Sequence, residues 1–228
     1  MITLEHVSKT IGYQTVLSDL SFSISEGEFI SIYGPNGAGK TSLLRLLATL
    51  SRQSQGEIKI GGFVLPQQAI QVRRLLAYLG HEAMLYGNLT AYENLTFFAS
   101  IYEKQIDRIK IMDLLEQVGL SRRASDEVRT FSRGMKQRLR LLVTLMTDAE
   151  LLLLDEPHNS LDEEGRRFLD IVLADLHQKG RTILMVSHDA AIIRKLSDRV
   201  LGLRRGKSTW ILSKDLILPV ENGGQEGS

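Results

Sequence analysis

Cysteine is absent from all 228 residues, which excludes disulfides and thiolate metal ligands and suits a reducing compartment. Long apolar runs are missing too. Stretches such as Leu151 to Leu154 fall far short of the roughly 20 apolar residues a membrane-spanning helix needs. Charge of one sign is also lacking: 28 basic and 27 acidic residues leave a net charge of +1. That balance gives no electrostatic footing for nucleic acid as the main partner. The opening residues Met1 to His6 carry no basic head followed by an apolar stretch, so no signal peptide is expected. Any membrane role is expected to come through a partner.

What the chain does have is a hydrophobic fraction of 43%, ordinary for a globular core, arranged in short periodic segments. Ile2, Leu4, Phe22 and Ile24 sit in strand-like company, and Phe29 to Tyr33 reads as a buried strand. Gly34 to Gly39 breaks that strand, and Thr41 to Leu47 restarts as a helix. Gly61-Gly62 predicts a hairpin between Glu57–Ile60 and Phe63–Leu65. From Ala91 to about Leu120 apolar residues recur at spacings of three and four, predicting helix, and another helix is expected over Arg133 to Thr147. An apolar strand ending at Asp155, a helix over Glu163 to Gln178 and a strand over Thr182 to Val186 follow. This alternation predicts an α/β fold with a mainly parallel sheet covered on both faces. Residues 1–212 are expected to form a single unit, with 1–81 and 141–212 as its core and 82–140 as an inserted helical lobe. The polar, glycine-rich end, 213–228, is expected to be a disordered tail.

Three segments carry chemistry. Gly34-Pro35-Asn36-Gly37-Ala38-Gly39-Lys40-Thr41 fits G-x-x-x-x-G-K-[ST] between a strand and a helix. Its glycines let backbone N–H groups curve around phosphates, Lys40 reaches the outer phosphates, and the Thr41 hydroxyl ligates Mg²⁺, with Ser42 beside it in the nucleotide-binding set. Leu151 to Glu156 delivers two adjacent carboxylates from a dry strand. Asp155 is the expected metal-side group and Glu156 the group that orients or deprotonates a water. His188, after the next strand, is placed to donate to the γ-phosphate. Together these predict a Mg²⁺-dependent phosphate-loop NTPase, without saying which kind. His158 reads as a surface loop residue, Trp210 as packing for a terminal strand, and Met112 to Leu115 as core.

Residues 1 to about 212 resemble the ATP-binding subunits of ABC transporters. Phe131-Ser132-Arg133-Gly134-Met135-Lys136-Gln137-Arg138 looks like the family's signature segment, and Asn159-Ser160-Leu161-Asp162 like its D-loop. The resemblance implies a RecA-like mainly parallel sheet, an N-terminal antiparallel β subdomain and an inserted helical subdomain. It also implies a head-to-tail homodimer docked on an integral membrane subunit at the cytoplasmic face. In such a dimer Ser132 and Gly134 contact the γ-phosphate held by the opposite subunit, and Asp162 belongs to the loop that crosses the interface.

Three departures from the family pattern stand out. His81 occupies the place of a nucleotide- and metal-coordinating glutamine, Arg133 replaces a glycine of the signature, and Ile11 stands where an aromatic usually covers adenine, with Tyr13 two residues on. Tyr78-Leu79-Gly80-His81 and Asn88 to Leu95 look like the haem-exporter type of cytochrome c maturation, whereas the Ser-Arg-Gly-Met segment is common among drug, lipid and polysaccharide exporters. A soluble family member acting on ribosomes or DNA is the less favoured class, since one set of motifs and no heptad run are present. Lys40, Asp155, Glu156 and His188 together argue against a regulator without turnover.

Overall fold

The computed structural model describes residues 1–80, 85–102 and 106–212; the tail at 213–228 and His81 lie outside them. Strand β1 (Ile2–Ile11) and strand β2 (Gln14–Ile24) pair antiparallel, with Ile2 opposite Ile24. Their inward residues Leu4, Val7, Leu17, Leu20 and Phe22 are buried, the alternation that one wet and one dry face requires. Strand β3 (Phe29–Tyr33) follows, then helix α1 (Lys40–Leu47).

The hairpin expected around Gly61-Gly62 is present: strand β4 (Gln55–Ile60) pairs antiparallel with strand β5 (Phe63–Leu65). Helix α2 (Ala69–Leu75) comes next, a short element without a side-chain cap that no sequence signal marked. Strand β6 (Leu76–Leu79) completes this half.

The stretch expected to be helical from Ala91 to about Leu120 is two helices, α3 (Ala91–Ile101) and α4 (Arg108–Gln117). Each has its own start signal. Thr90 and Glu93 form a capping box on α3, and the Asp107 carboxylate accepts from Lys110 N at 2.8 Å on α4; such caps restart a helix where apolar periodicity alone reads as continuous. Helix α5 (Arg133–Leu145), strand β7 (Leu151–Asp155), helix α6 (Glu163–Gln178), strand β8 (Thr182–Val186), helix α7 (Ala190–Leu196), strand β9 (Arg199–Arg204) and strand β10 (Lys207–Leu212) close the chain.

Two sheets result: an antiparallel one in the order β2-β1-β4-β5, and one in the order β10-β9-β3-β8-β7-β6. In the second, all pairings from β9 to β6 are parallel and only β10 runs against its neighbour. Its central strands are dry on both faces. Leu151 and Leu153 pack with α1 and the antiparallel sheet, while Leu152 and Leu154 pack under α6 beside Leu169 and Leu173. A separate apolar cluster joins α3, α4 and α5 through Leu95, Ile111, Leu115, Leu139 and Val143. In the segment expected as core, Leu115 is buried, Met112 and Leu114 are half-buried and Asp113 is exposed. Trp210 packs edge-on against Phe22, with the Arg199 guanidinium 3.7 Å above its ring.

Leu153 lies at the centre of this frame with no exposed surface. Leu153→Ala is expected to cost about 2–5 kcal/mol through lost burial and a residual cavity, read as a lower urea midpoint with an unchanged slope.

Candidate active site

A parallel sheet brings the carboxyl ends of its strands to one edge, and here β3, β8 and β7 are adjacent there. From β3 the chain enters Gly34–Gly39 and then α1, whose N-cap is Gly39 at φ +101°. A Cβ at Gly39 would stand 2.7 Å from Leu17 Cδ2 and 2.9 Å from Val16 O. The loop therefore closes as bare backbone, the form a phosphate cradle takes. Pro35, Asn36 and Gly37 are exposed, Ala38 is buried, and Thr41 and Ser42 are half-buried at the helix start.

Lys40 is buried, and its ammonium donates to Gly34 O at 2.8 Å and Pro35 O at 3.0 Å. It thus lies folded over its own loop. Burial pushes its pKa below the ordinary lysine range, opposed by the charges of Glu156 and Asp155. Those two carboxylates therefore lie electrostatically within reach of the lysine, although they come from another strand. Asp155, the last residue of β7, is buried. With the Thr41 hydroxyl it offers hard oxygen donors of the kind Mg²⁺ takes, which fits a site completed by water and phosphate oxygens.

Glu156 leaves the strand at φ +51°. Its Oε1 is 2.7 Å from His188 Nε2, and its Oε2 accepts from the Asn159 amide. The carboxylate is thus oriented from two sides. His188 sits between β8 and α7, and the Asp189 carboxylate beside it caps α7 by accepting from Ala191 N at 2.9 Å and Ile192 N at 3.3 Å. Lys40, Asp155, Glu156 and His188 are accordingly drawn together by three neighbouring strands.

Ser132 and Gly134 of the signature-like segment line a different pocket. Ser132 caps α5 by accepting from Met135 N at 3.2 Å. Gly134 faces the D-loop so closely that a Cβ there would stand 2.8 Å from Ser160 O. Ser132, Gly134, Arg138, Ser160 and Asp162 line a pocket of about 490 Å³ whose lining includes no residue of the glycine loop. Within one chain, then, Ser132, Gly134 and Asp162 are not assembled with Lys40. His81 lies outside the described residues. Ile11 and Tyr13 are both exposed near the tip of the β1–β2 hairpin. Arg133 is exposed and helps line a groove of about 660 Å³ with Lys136, Gln137, Asp155 and Glu156.

Several residues to which motif reading gave no holding role keep these pieces in place. The Gln137 amide donates to Pro157 O at 2.9 Å, tying α5 to the residue after Glu156. The Arg138 guanidinium donates to Val118 O at 3.0 Å and pairs with Asp162. His158 is not the surface residue the sequence suggested. It is 6% exposed, with Nε2 2.9 Å from Asp170 Oδ1, while Asp170 Oδ2 accepts from Lys195 Nζ at 2.8 Å. The correction has a simple cause, since Pro157 and the turn after it send this side chain inward beneath α6. No sequence signal could have shown it, because Asp170 is twelve positions away on a separate helix.

The strand–glycine turn–helix facing a carboxylate-tipped strand defines a phosphate-loop NTPase, and known proteins narrow the class. The sequence matches the ABC transporter family over residues 17–159. It is 33% identical over 216 residues to the linearmycin resistance ATP-binding protein LnrL of Bacillus subtilis strain 168, covering 94% of this chain and 70% of that protein. To the cytochrome c biogenesis ATP-binding export protein CcmA of Nitrosomonas europaea it is 35% identical over 193 residues, covering 85% of this chain and 91% of that protein. To the glutamate/aspartate import ATP-binding protein GltL of Escherichia coli K12 it is 34% identical over 222 residues, covering 94% and 92%. A dimeric ATP-binding cassette in a post-hydrolysis state, bound to ADP and Pi, superposes with a TM-score of 0.84 at 25% identity, covering 93% of this chain and 99% of that one. The chain belongs to the ABC transporter family as an ATP-binding subunit, and it is an ATPase.

One pH effect follows from His158. Its pKa is lowered chiefly by burial, with Arg166 adding to the shift and Asp170 and Asp189 opposing it. The unfolded chain therefore takes up a proton near pH ~6.5 that the folded chain resists. This contribution to stability is present above that pH and is lost as the pH falls. Urea midpoints measured from pH 7.5 to 5 are expected to decline less steeply in His158→Gln than in the parent.

Proposed function

We propose that two copies of this chain sandwich two Mg·ATP molecules head to tail and hydrolyse them to drive export through a separate integral membrane subunit, from its cytoplasmic face. The observation that carries this reading is the convergence of Lys40, Glu156 and His188 at one sheet edge, with Glu156 held 2.7 Å from His188. The backbone of Gly34 to Gly39, with Lys40 and Ser42, holds the phosphates. Thr41 and Asp155 hold Mg²⁺, which supplies charge neutralisation at the phosphate oxygens. Glu156 orients the attacking water and takes its proton as oxygen bonds to the γ-phosphorus and the bond to ADP breaks. His188 donates to the oxygen that gains charge. Ser132 and Gly134 close on the nucleotide of the opposite subunit, with Asp162 in the loop between them. His81 joins the nucleotide- and metal-contacting set. Residues 1–81 with 141–212 act as the catalytic core with its β subdomain and 82–140 as the helical subdomain.

For the cargo, the Gly80-His81 pair and the likeness to CcmA support the cytochrome c maturation type, with haem export as its activity. The Ser-Arg-Gly-Met segment and the likeness to a linearmycin resistance protein support an exporter of drugs, lipids or polysaccharides as the second reading. Identifying the integral subunit that co-purifies from membranes separates the two.

Glu156→Gln is expected to keep ATP binding, lower turnover at least roughly a hundredfold, and accumulate as an ATP-bound dimer in size-exclusion chromatography; turnover near the parent rate removes Glu156 from this role. Ser132→Arg is expected to abolish dimerisation and turnover while the monomer's nucleotide affinity stays within about threefold, a shift of under ~1 kcal/mol. A comparable loss of monomer affinity, measured by titration calorimetry, speaks against the sandwich.

A further inference from the structure

The segment after β7 presents an unusual backbone. Glu156 at φ +51° and Ser160 at φ +64° are both non-glycine residues in the left-handed region, which persists only where surrounding contacts over-determine it. Between them the chain is pinned by hydrogen bonds from Asn159 N to Glu156 O at 3.1 Å and from Leu161 N to His158 O at 3.3 Å. Those bonds shape the turn but do not fix it to the rest of the protein. The start of the segment is tied to β8 where Glu156 N donates to Val186 O at 3.1 Å, and beyond Glu156 two side-chain contacts hold it: the Gln137 amide on Pro157 O, and the imidazole of His158.

His158 opens a circuit of contacts that closes on Glu156. Its Nε2 meets Asp170 on α6 at 2.9 Å, and the second oxygen of Asp170 accepts from Lys195 on α7 at 2.8 Å. The N-terminus of α7 is capped by Asp189, whose neighbour His188 stands 2.7 Å from the Glu156 carboxylate. The ends of β7 and β8 are joined directly by Glu156 N on Val186 O at 3.1 Å, and the two groups of the proposed hydrolytic pair are joined a second time by this chain of contacts, which leaves the β7 side through His158.

The ring's other nitrogen supports a positional role. His158 Nδ1 is buried without a hydrogen-bond partner, an arrangement that disfavours the folded state. Stability alone therefore does not account for a histidine here. We propose that His158 is a positioning residue for hydrolysis: anchored on Asp170, it sets the place of Glu156 relative to His188. The proposal rests on the reading of Glu156 as the group that activates water.

Glutamine, asparagine and alanine at this position test it in the full-length chain. A glutamine amide nitrogen reaches about as far as imidazole Nε2 and can donate to Asp170, whereas an asparagine amide is polar but falls short. His158→Gln is expected to hold kcat within about threefold of the parent. His158→Asn and His158→Ala are expected to lower kcat roughly ten- to a hundredfold, with KM for Mg·ATP within about twofold and nucleotide-binding stoichiometry unchanged. Equal kcat for the glutamine and asparagine variants overturns the proposal, as does a loss confined to KM or to binding stoichiometry. If His158→Ala does not fold, the glutamine–asparagine pair decides. Glu156→Gln measured alongside separates the two levels. Continued turnover in Glu156→Gln defeats the underlying reading, while an inactive Glu156→Gln beside fully active His158→Asn defeats the positioning role alone.

Discussion

The three strands β3, β8 and β7 have no solvent on either face, and that constraint shapes everything polar in this protein. Residues such as Ile30, Leu153 and Leu184 are wholly buried, and a dry strand has room for a charge only where it ends. The glycine loop, the paired carboxylates and the histidine therefore all lie at or within two residues of strand ends. Because parallel strands end on the same side, groups about 115 to 150 positions apart in sequence become neighbours without any element being designed to carry all of them. The price appears at the exits. Lys40 loses hydration and is held below its ordinary pKa by burial, and Glu156 turns out of its strand through left-handed backbone.

Much of this was legible from the residues. The strand–loop–helix around Gly34 to Thr41, the dry strand ending at Asp155 and the hairpin at Gly61-Gly62 depend on local spacing and turn chemistry, which a sequence displays directly. The break between α3 and α4 was missed although Asp107 marks it, because apolar spacing continues across the gap while the cap that interrupts it is a single side chain. Helix α2 has neither a capping side chain nor a long apolar stripe, so packing against β5 and β6 rather than propensity decides it. His158 was misread for a different reason. Its burial depends on Asp170 and on the path of α6, information that no window around Pro157 contains.

The contacts that position the site are of another kind from the motifs. Gln137, Arg138 and Arg140 lie on the α5 face that meets the core, and they reach Pro157 O, Asp162 and Gly80 O respectively. Two of the partners are backbone carbonyls, a group every sequence possesses at every position, and the third is the Asp162 carboxylate that caps α6. The two carbonyl pairings leave no compositional trace, since only the donor is distinctive. Their geometry is also one-sided: the donors all sit on one helix while the acceptors belong to separate segments. The order of the site is therefore imposed from α5 outward.

Helix α5 is capped by the hydroxyl of Ser132 and five residues on carries the amide of Gln137 on Pro157 O. Five residues of α-helix rise about 7.5 Å with each turn held by backbone hydrogen bonds, so the two groups are not displaced independently. In the proposed dimer Ser132 reports on the nucleotide of the opposite subunit, while Pro157 adjoins the glutamate of its own. A tilt of α5 imposed by one nucleotide thus becomes a displacement at the other, with the helix as a crank between them. The two hydrolytic centres would then share one mechanical coordinate, and their turnovers would be correlated in time rather than drawn as independent events.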